Sequence, residues 1–364
     1  MSEPSLDELI AERDILVCCG SGGVGKTTAA AVLALRGAEL GRRAVVVTID
    51  PARRLADALG LDGLTNEPSK IDGDFDGELW AMMLDTKSTF DDLVGTYAHD
   101  AEQRDRILGN RFYRNISGAL SGTQEYMAME KLYELHHGHG SGARDYDLIV
   151  IDTPPTRNAL DFLEAPNRLT RFLDHRLYRL VTMPNRGVFR AVNMATQTFI
   201  RSVAKVVGAD VIDDAIAFFQ AFDGMEQGFR DRATEVEALL RAEETAFVLV
   251  ASPRRDTIEE ATFFAEKLEE GDIPVRSLVV NRMHPVFGEG LAEATRERAS
   301  SLAGQPIGSL YRNLADFQLV ASREEENLAI LAETAAPAPV VRVPFLRSDV
   351  HDLDGLRQIQ AHLV

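Results

Sequence analysis

The chain has 364 residues, of which 45% are hydrophobic and 26% charged, a balance typical of a globular protein long enough to bury a large core. Its formal net charge of −18 at pH 7 argues against a general nucleic-acid-binding or anionic-membrane-binding surface. A local site for a nucleotide remains compatible with that charge.

The cysteines and the apolar runs bear on the cellular compartment. Both cysteines, Cys18 and Cys19, are neighbours in a predicted strand, where their side chains point to opposite faces, so no disulfide is expected between them. Residues 1–14 are acidic and lack the apolar segment of a signal peptide, and no stretch approaches 18 uninterrupted apolar residues. We therefore expect a cytoplasmic protein without a membrane span.

A glycine-rich loop follows the first predicted strand, Ile15–Cys19, and precedes an alanine-rich helical pattern. The loop reads Gly20-Ser21-Gly22-Gly23-Val24-Gly25-Lys26-Thr27-Thr28. It fits the phosphate-binding pattern G-x-x-x-x-G-K-[ST], whose glycines let backbone N–H groups approach a phosphate at the start of a helix. Lys26 is expected to reach the β- and γ-phosphates, and the Thr27 hydroxyl to bind Mg²⁺. The stretch predicts a nucleotide-phosphate site.

Two further apolar strands end in an aspartate. Arg43–Ile49 ends at Asp50, and Asp147–Ile151 ends at Asp152. This β–α–β order predicts a parallel sheet covered by helices, in which ligands bind beyond the carboxyl ends of the strands. Asp152 then fits the carboxylate that holds Mg²⁺, directly or through water. The alternatives are a turn-forming Asp50 and a helix-capping Asp152.

Helical patterns interrupt the sheet over about 86–144 and 161–244, whereas residues 57–78 are expected to form a loop with a short helix. The second insertion carries a stripe at helical spacing, formed by Phe218, Phe222, Met225 and Phe229. Such a stripe is typical of a core, and it also suits a groove for a hydrophobic partner helix. The sequence leaves both interpretations open.

The sheet resumes with Ala246–Ala251, with Val275–Val280 before Asn281, and with Val340–Val343 before Pro344 and Phe345. Strand and helix units therefore lie on both sides of the insertions. We predict one α/β domain over 1–364, with a mostly parallel P-loop sheet and a large inserted helical subdomain.

These motifs, in this order, resemble the ArsA and tail-anchored-protein-targeting branch of the SIMIBI-class P-loop ATPases. The loop is similar to that class's deviant Walker A, G-K-G-G-V-G-K-T. Thr48–Ala52 resembles its switch I, T-D-P-A, and Asp152–Leu160 its switch II, D-T-A-P-T-G-x-x-L. Val279–Arg282 is similar to V-V-N-[QK], and Val343–Leu346 to the C-terminal loop beside adenine. Positioning ATPases of the MinD/ParA kind are shorter and lack the helical insertion.

The resemblance implies a Mg²⁺-dependent ATPase that works as a nucleotide-gated dimer. It implies that Asp50 orients or deprotonates the attacking water, that Lys26 holds the phosphates, and that Thr27 and Asp152 hold Mg²⁺. Asn281 and the Pro344–Phe345 region would hold adenine. The implied partners are a second copy or a paralogous ATPase, together with a membrane-protein client or partner that could bring the chain to a membrane surface.

The sequence departs from the family at several positions. Ser21 occupies the place of the signature lysine, which reaches a partner subunit's phosphates, so hydrolysis is expected to be slow or to rely on another cation such as Arg53 or a partner's lysine. No cysteine follows Cys19, so the family's Cys-x-x-Cys zinc site is not expected. Two strand thiols cannot supply an arsenite site, so arsenite transport is not expected either. This sequence carries a single phosphate loop, so the fused two-half form is not expected.

Two alternative functions follow from these features. Ser21 is compatible with a low-activity nucleotide-binding regulatory subunit, which would form a hetero-oligomer with a paralogue that keeps the lysine. The Phe218–Phe229 stripe is compatible with a chaperone for hydrophobic membrane helices.

Overall fold

The computed structural model describes residues 4–50, 53–116, 123–138, 144–154, 209–347 and 349–363. The chain divides into two compact units. The first falls within Met1–Met83, Leu135–Leu160 and Arg241–Val364, and the second within Leu84–Glu134 and Asp161–Leu240.

The first unit is built on a sheet of eight strands. In chain order these are β1 (Ile15–Cys19), β2 (Arg43–Thr48), β3 (Ser69–Ile71), β4 (Glu78–Met83), β5 (Leu148–Asp152), β6 (Thr245–Ala251), β7 (Val275–Met283) and β8 (Val340–Pro344). They lie side by side in the order β3-β4-β2-β5-β1-β6-β7-β8. Every neighbouring pair is parallel except β3 and β4. The predicted α/β class with a mostly parallel sheet is confirmed.

The described helices are α1 (Leu6–Glu12), α2 (Lys26–Glu39), α3 (Arg54–Leu59), α4 (Thr86–Tyr97), α5 (Ala101–Leu108), α6 (Arg111–Ile116), α7 (Thr123–His137), α8 (Ala209–Ala221), α9 (Glu226–Arg241), α10 (Arg255–Glu270), α11 (Ala292–Ser301), α12 (Pro306–Thr334) and α13 (Leu353–Leu363). None of them is long and apolar enough to cross a membrane.

Helix α2 packs closely on the sheet because its residues are small. Its alanines and leucines are buried, and at Gly37 an added Cβ would lie 2.3 Å from the Leu148 side chain in β5. Strands β1 and β5 are buried at every position, as expected for parallel strands covered on both faces. This packing fixes the loop between β1 and α2 at the carboxyl ends of the strands.

The second unit has an aromatic core. Phe218, Phe222, Met225 and Phe229 are all buried, and the rings of Phe222 and Phe229 stack with centroids 5.7 Å apart. The stripe that the sequence left open therefore belongs to the core of this unit. Residues 161–208 of the second predicted insertion lie outside the described residues.

Candidate functional site

The glycine-rich loop joins β1 to α2, and close packing requires glycine at two of its positions. Gly20 has a φ of +145°, and a Cβ there would lie 2.1 Å from the Val250 carbonyl oxygen. Gly25 has a φ of +101°, and a Cβ there would lie 2.2 Å from Asn281 Nδ2. Because residues other than glycine rarely adopt such φ angles, the loop depends on both glycines for its shape.

Lys26 is the first residue of α2 and is buried. Its Nζ donates a hydrogen bond to the Ser21 carbonyl oxygen at 2.8 Å, so the side chain curls back over the loop. Burial lowers the pKa of this ammonium, while the nearby Asp152 carboxylate opposes that shift. The arrangement holds a positive charge where the loop would receive an anion.

Ser21 occupies a buried position within the same loop. Only 6% of its surface is exposed, and its hydroxyl has no hydrogen-bond partner within the part of the chain that the structure describes. No positive charge therefore enters the loop from this residue.

Asp152 and Thr27 lie together, although they are far apart in the chain. Thr27 Oγ1 donates to Asp152 Oδ2 at 2.7 Å, and Thr48 Oγ1 donates to the same oxygen at 2.8 Å. Asp152 Oδ1 is buried, and no described residue forms a hydrogen bond with it. Burial raises the pKa of this carboxyl, against the lowering effect of the two hydroxyl donors.

These groups fit a magnesium ion. Mg²⁺ prefers hard oxygen ligands and is commonly bound by one or two protein oxygens together with substrate phosphates. The unpartnered Asp152 Oδ1 beside the Thr27 hydroxyl is such a donor set. A cation bound there would lower the pKa of Asp152 and so counteract the increase caused by burial.

Asp50 follows β2 at the same end of the sheet. Its side chain is 17% exposed and lies 3.5 Å from the guanidinium of Arg54, while its backbone N–H donates to Thr48 Oγ1 at 3.2 Å. Pro51 and Ala52 of the predicted switch I lie outside the described residues, as do residues 155–160 of the predicted switch II. The carboxylate is thus partly open to solvent and held by its neighbours.

A cavity of about 820 Å³ lies beside the loop, within the range of about 300–1,000 Å³ common for small-molecule sites. It is lined by Gly23, Gly25, Lys26, Thr27, Thr28, Asp50, Arg54, Asp57, Ala58, Gly60, Leu61, Thr153, Arg282, Val350 and His351. Four charged or titratable residues of this lining, Arg54, Asp57, Arg282 and His351, were not predicted as site residues from the sequence. The first two could have been found, because they lie on the helix that follows Asp50.

The structure distinguishes between the two arginines after switch I. Arg53, the cation suggested by the sequence, directs Nη1 to the Asp62 carbonyl oxygen at 3.4 Å and is not part of the cavity lining. Arg54 lines the cavity instead.

None of the three residues predicted to hold adenine lines the cavity. Asn281 Nδ2 donates to the Val24 carbonyl oxygen at 2.9 Å, which places this amide against the loop. Pro344 and Phe345 follow the same edge of the sheet but do not line the cavity. The Phe345 ring is 58% exposed and stacks on His284 with centroids 6.1 Å apart. Adenine contacts at these residues remain predictions.

The parallel sheet, the phosphate loop at its carboxyl edge and the strand-end carboxylates define a P-loop nucleotide-binding protein. A family model for the ArsA-type, or anion-transporting, ATPases matches residues 13–364, and the chain belongs to that family. The resemblance found in the sequence is confirmed. Membership places the chain among the ATPases.

Relatives with assigned names agree with this placement. The chain is 25% identical over 285 residues to an ATPase GET3 of Malassezia globosa, covering 77% of this chain and 76% of that protein. It is 25% identical over 334 residues to the ATPase ARSA2 of Chlamydomonas reinhardtii, covering 89% and 84%. It is also 25% identical over 265 residues to the ATPase GET3A of Arabidopsis thaliana, covering 72% and 65%.

Proposed function

We propose that this chain hydrolyses ATP in a Mg²⁺-dependent reaction and that the nucleotide opens and closes a dimer. One observation carries the proposal. Lys26 and Thr27, Asp50, and Asp152 converge from three places in the chain on one end of the sheet, and three of these four residues line a cavity large enough for a nucleotide. Phosphoryl transfer needs positioning and charge neutralisation more than covalent chemistry, so this convergence is what the reaction requires.

Each residue would have a distinct task. The amides of Gly20–Thr28 would bind the phosphates, and Lys26 would exchange its hydrogen bond to the Ser21 carbonyl for a phosphate oxygen. Thr27 and Asp152 would hold Mg²⁺, which when bound neutralises phosphate charge. Asp50, partly exposed beside the cavity, would orient the attacking water and accept its proton.

Asp50→Asn tests the reaction, because it removes the proton acceptor and keeps the size of the side chain. We expect phosphate release to fall by about 100-fold or more, with the affinity for ATP kept within about twofold. Asp62→Asn, at an exposed carboxylate outside the cavity lining, is the control and should keep wild-type turnover. Unchanged phosphate release by Asp50→Asn would refute the role of Asp50.

The partner is proposed from the family rather than from a surface of this chain. The family is described as anion-transporting, and several relatives carry the name GET3, so we propose a membrane-protein or transport partner. The stripe that suggested a groove for a helix is buried in the second unit, so a chaperone function is not carried further on that ground.

A regulatory subunit is the second candidate, because Ser21 brings no cation to the loop. In that case a paralogue that keeps the lysine would complete the site across a heterodimer. A stable hetero-oligomer in the native cell, combined with negligible phosphate release by the purified chain, would favour this function.

A further inference from the structure

We propose that Arg282 is a phosphate-contacting residue that supplies, from within the same subunit, part of the positive charge the loop lacks at Ser21. Arg282 lies at a strand bulge, and its side chain contacts the carbonyl of Gly23 in the phosphate loop. The inference rests on the proposed function and names a further residue of that site.

The backbone sets Arg282 apart from its neighbours in β7. Asn281 is paired with Val343 and Met283 with Pro344, so the register shifts at Arg282 and leaves it as the extra residue of a bulge. Its φ is +65°, and Asp272, in the turn after α10, is the other non-glycine residue with positive φ in the described ranges. Bulges beside active sites re-aim a side chain, and an unfavourable φ persists only where its surroundings enforce it.

The side chain reaches the middle of the loop. Arg282 Nη1 donates to the Gly23 carbonyl oxygen at 3.3 Å, while the preceding Asn281 donates to Val24 O at 2.9 Å. The two residues therefore contact consecutive loop carbonyls. Because the amides of a phosphate loop surround the inner phosphates, a guanidinium at Gly23 lies next to where the β-phosphate would bind.

Among the arginines and lysines that line the cavity, Arg282 is the best placed to neutralise added phosphate charge. Arg54 forms an ion pair with Asp50 at 3.5 Å, and the charge of the buried Lys26 interacts with the Asp152 carboxylate. No carboxylate of a described residue lies within 4.0 Å of the Arg282 guanidinium. Its carbonyl hydrogen bond is long, and a phosphate oxygen would replace it with a shorter, charge-assisted bond. A planar guanidinium with several donors suits that exchange.

The test compares dissociation constants for ATP, ADP and AMP in the full chain with Mg²⁺, by calorimetry. Arg282→Asn removes the charge with a residue that tolerates a positive φ, so the nucleotide-free protein should unfold at the wild-type temperature. We expect ATP and ADP to bind about 10- to 100-fold more weakly, and AMP to be unaffected within about twofold. Arg282→Lys should recover most of the loss. Arg255→Gln, at an exposed arginine on α10, should match the wild type.

The outcomes separate the inference from the proposed function. Wild-type affinity for ATP in a folded Arg282→Asn protein would overturn the inference alone. An equal loss for ATP and AMP would also overturn it, because the contact would then be to the base, the sugar or the first phosphate. A wild-type chain that binds no ATP would refute the proposed function itself.

Discussion

Gly25→Ala is the sharpest test of how the loop is held, because Gly23→Ala is a control only two residues away. Both positions have a positive φ, +77° at Gly23 and +101° at Gly25. An added Cβ at Gly23 meets nothing within 4 Å, whereas at Gly25 it would lie 2.2 Å from Asn281 Nδ2. Both substitutions place an alanine at a positive φ, but only Gly25→Ala also brings a Cβ against the Asn281 side chain.

The structure gives the size of the difference. Each alanine should destabilise the protein by about 1–2 kcal/mol through its positive φ. Gly25→Ala must also displace the Asn281 amide from its 2.9 Å hydrogen bond to Val24 O, which adds about 1–3 kcal/mol. The loop would shift as well, so we expect ATP binding to be lost in this variant and only weakened in Gly23→Ala.

A double-mutant cycle with Asn281→Ala measures the collision directly. Free energies of unfolding from urea titrations of the nucleotide-free protein give the coupling between positions 25 and 281. Removal of the amide makes room for the methyl group, so Gly25→Ala should cost about as much as Gly23→Ala in the Asn281→Ala background. Additive effects, or equal costs for the two alanines in the wild-type background, would show that Asn281 does not restrict the side chain at position 25.

Two further predictions concern a buried acid and the missing lysine. Glu130 is buried beside Arg232 with 3.2 Å between Oε1 and Nε, and burial raises its pKa to about 7, above its unfolded value of about 4.3. Between about pH 4.3 and about pH 7, Glu130 is therefore mostly protonated in the folded state and mostly ionised in the unfolded state. The free energy of unfolding should fall by about 2–3 kcal/mol as the pH rises from about 4.3 to about 7. In Glu130→Gln the urea midpoint should lose this part of its pH dependence. If the midpoint of the variant changed with pH as much as that of the wild type, burial of Glu130 would not be the cause. Ser21→Lys should raise steady-state phosphate release about tenfold or more by restoring a cation to the loop. Ser21→Met, of similar length without charge, should not, and equal rates in the two variants would show that charge at this position is not limiting.

Much of the architecture could be predicted from the sequence because it depends on local patterns. Continuous apolar runs such as Ile15–Cys19 predicted buried parallel strands, and glycine spacing predicted the loop. Strand β3 was not predicted, because Ser69 and Lys70 are polar, the strand has three residues and it forms an edge. Residues 57–78 were expected to contain a loop and a short helix, and this strand corrects that expectation.

The parts of the site that escaped prediction depend on tertiary pairing. The bulge at Arg282 arises from the register between β7 and β8, which no local pattern encodes. Whether Arg53 or Arg54 faces the cavity depends on where α3 begins. Outside the site, whether the Phe218–Phe229 stripe is core or groove depends on side chains distant in the sequence, such as Phe90, whose ring centroid lies 6.2 Å from that of Phe222.

We propose that bound ATP, rather than ADP, closes two subunits. Asp50→Asn should retain ATP without hydrolysing it, so its mass in solution can be measured by light scattering in saturating Mg²⁺-ATP and again in Mg²⁺-ADP. We predict twice the single-chain mass in ATP and a lower mass in ADP. The same mass in both nucleotides, with binding of each verified, would contradict nucleotide-gated closure of the dimer.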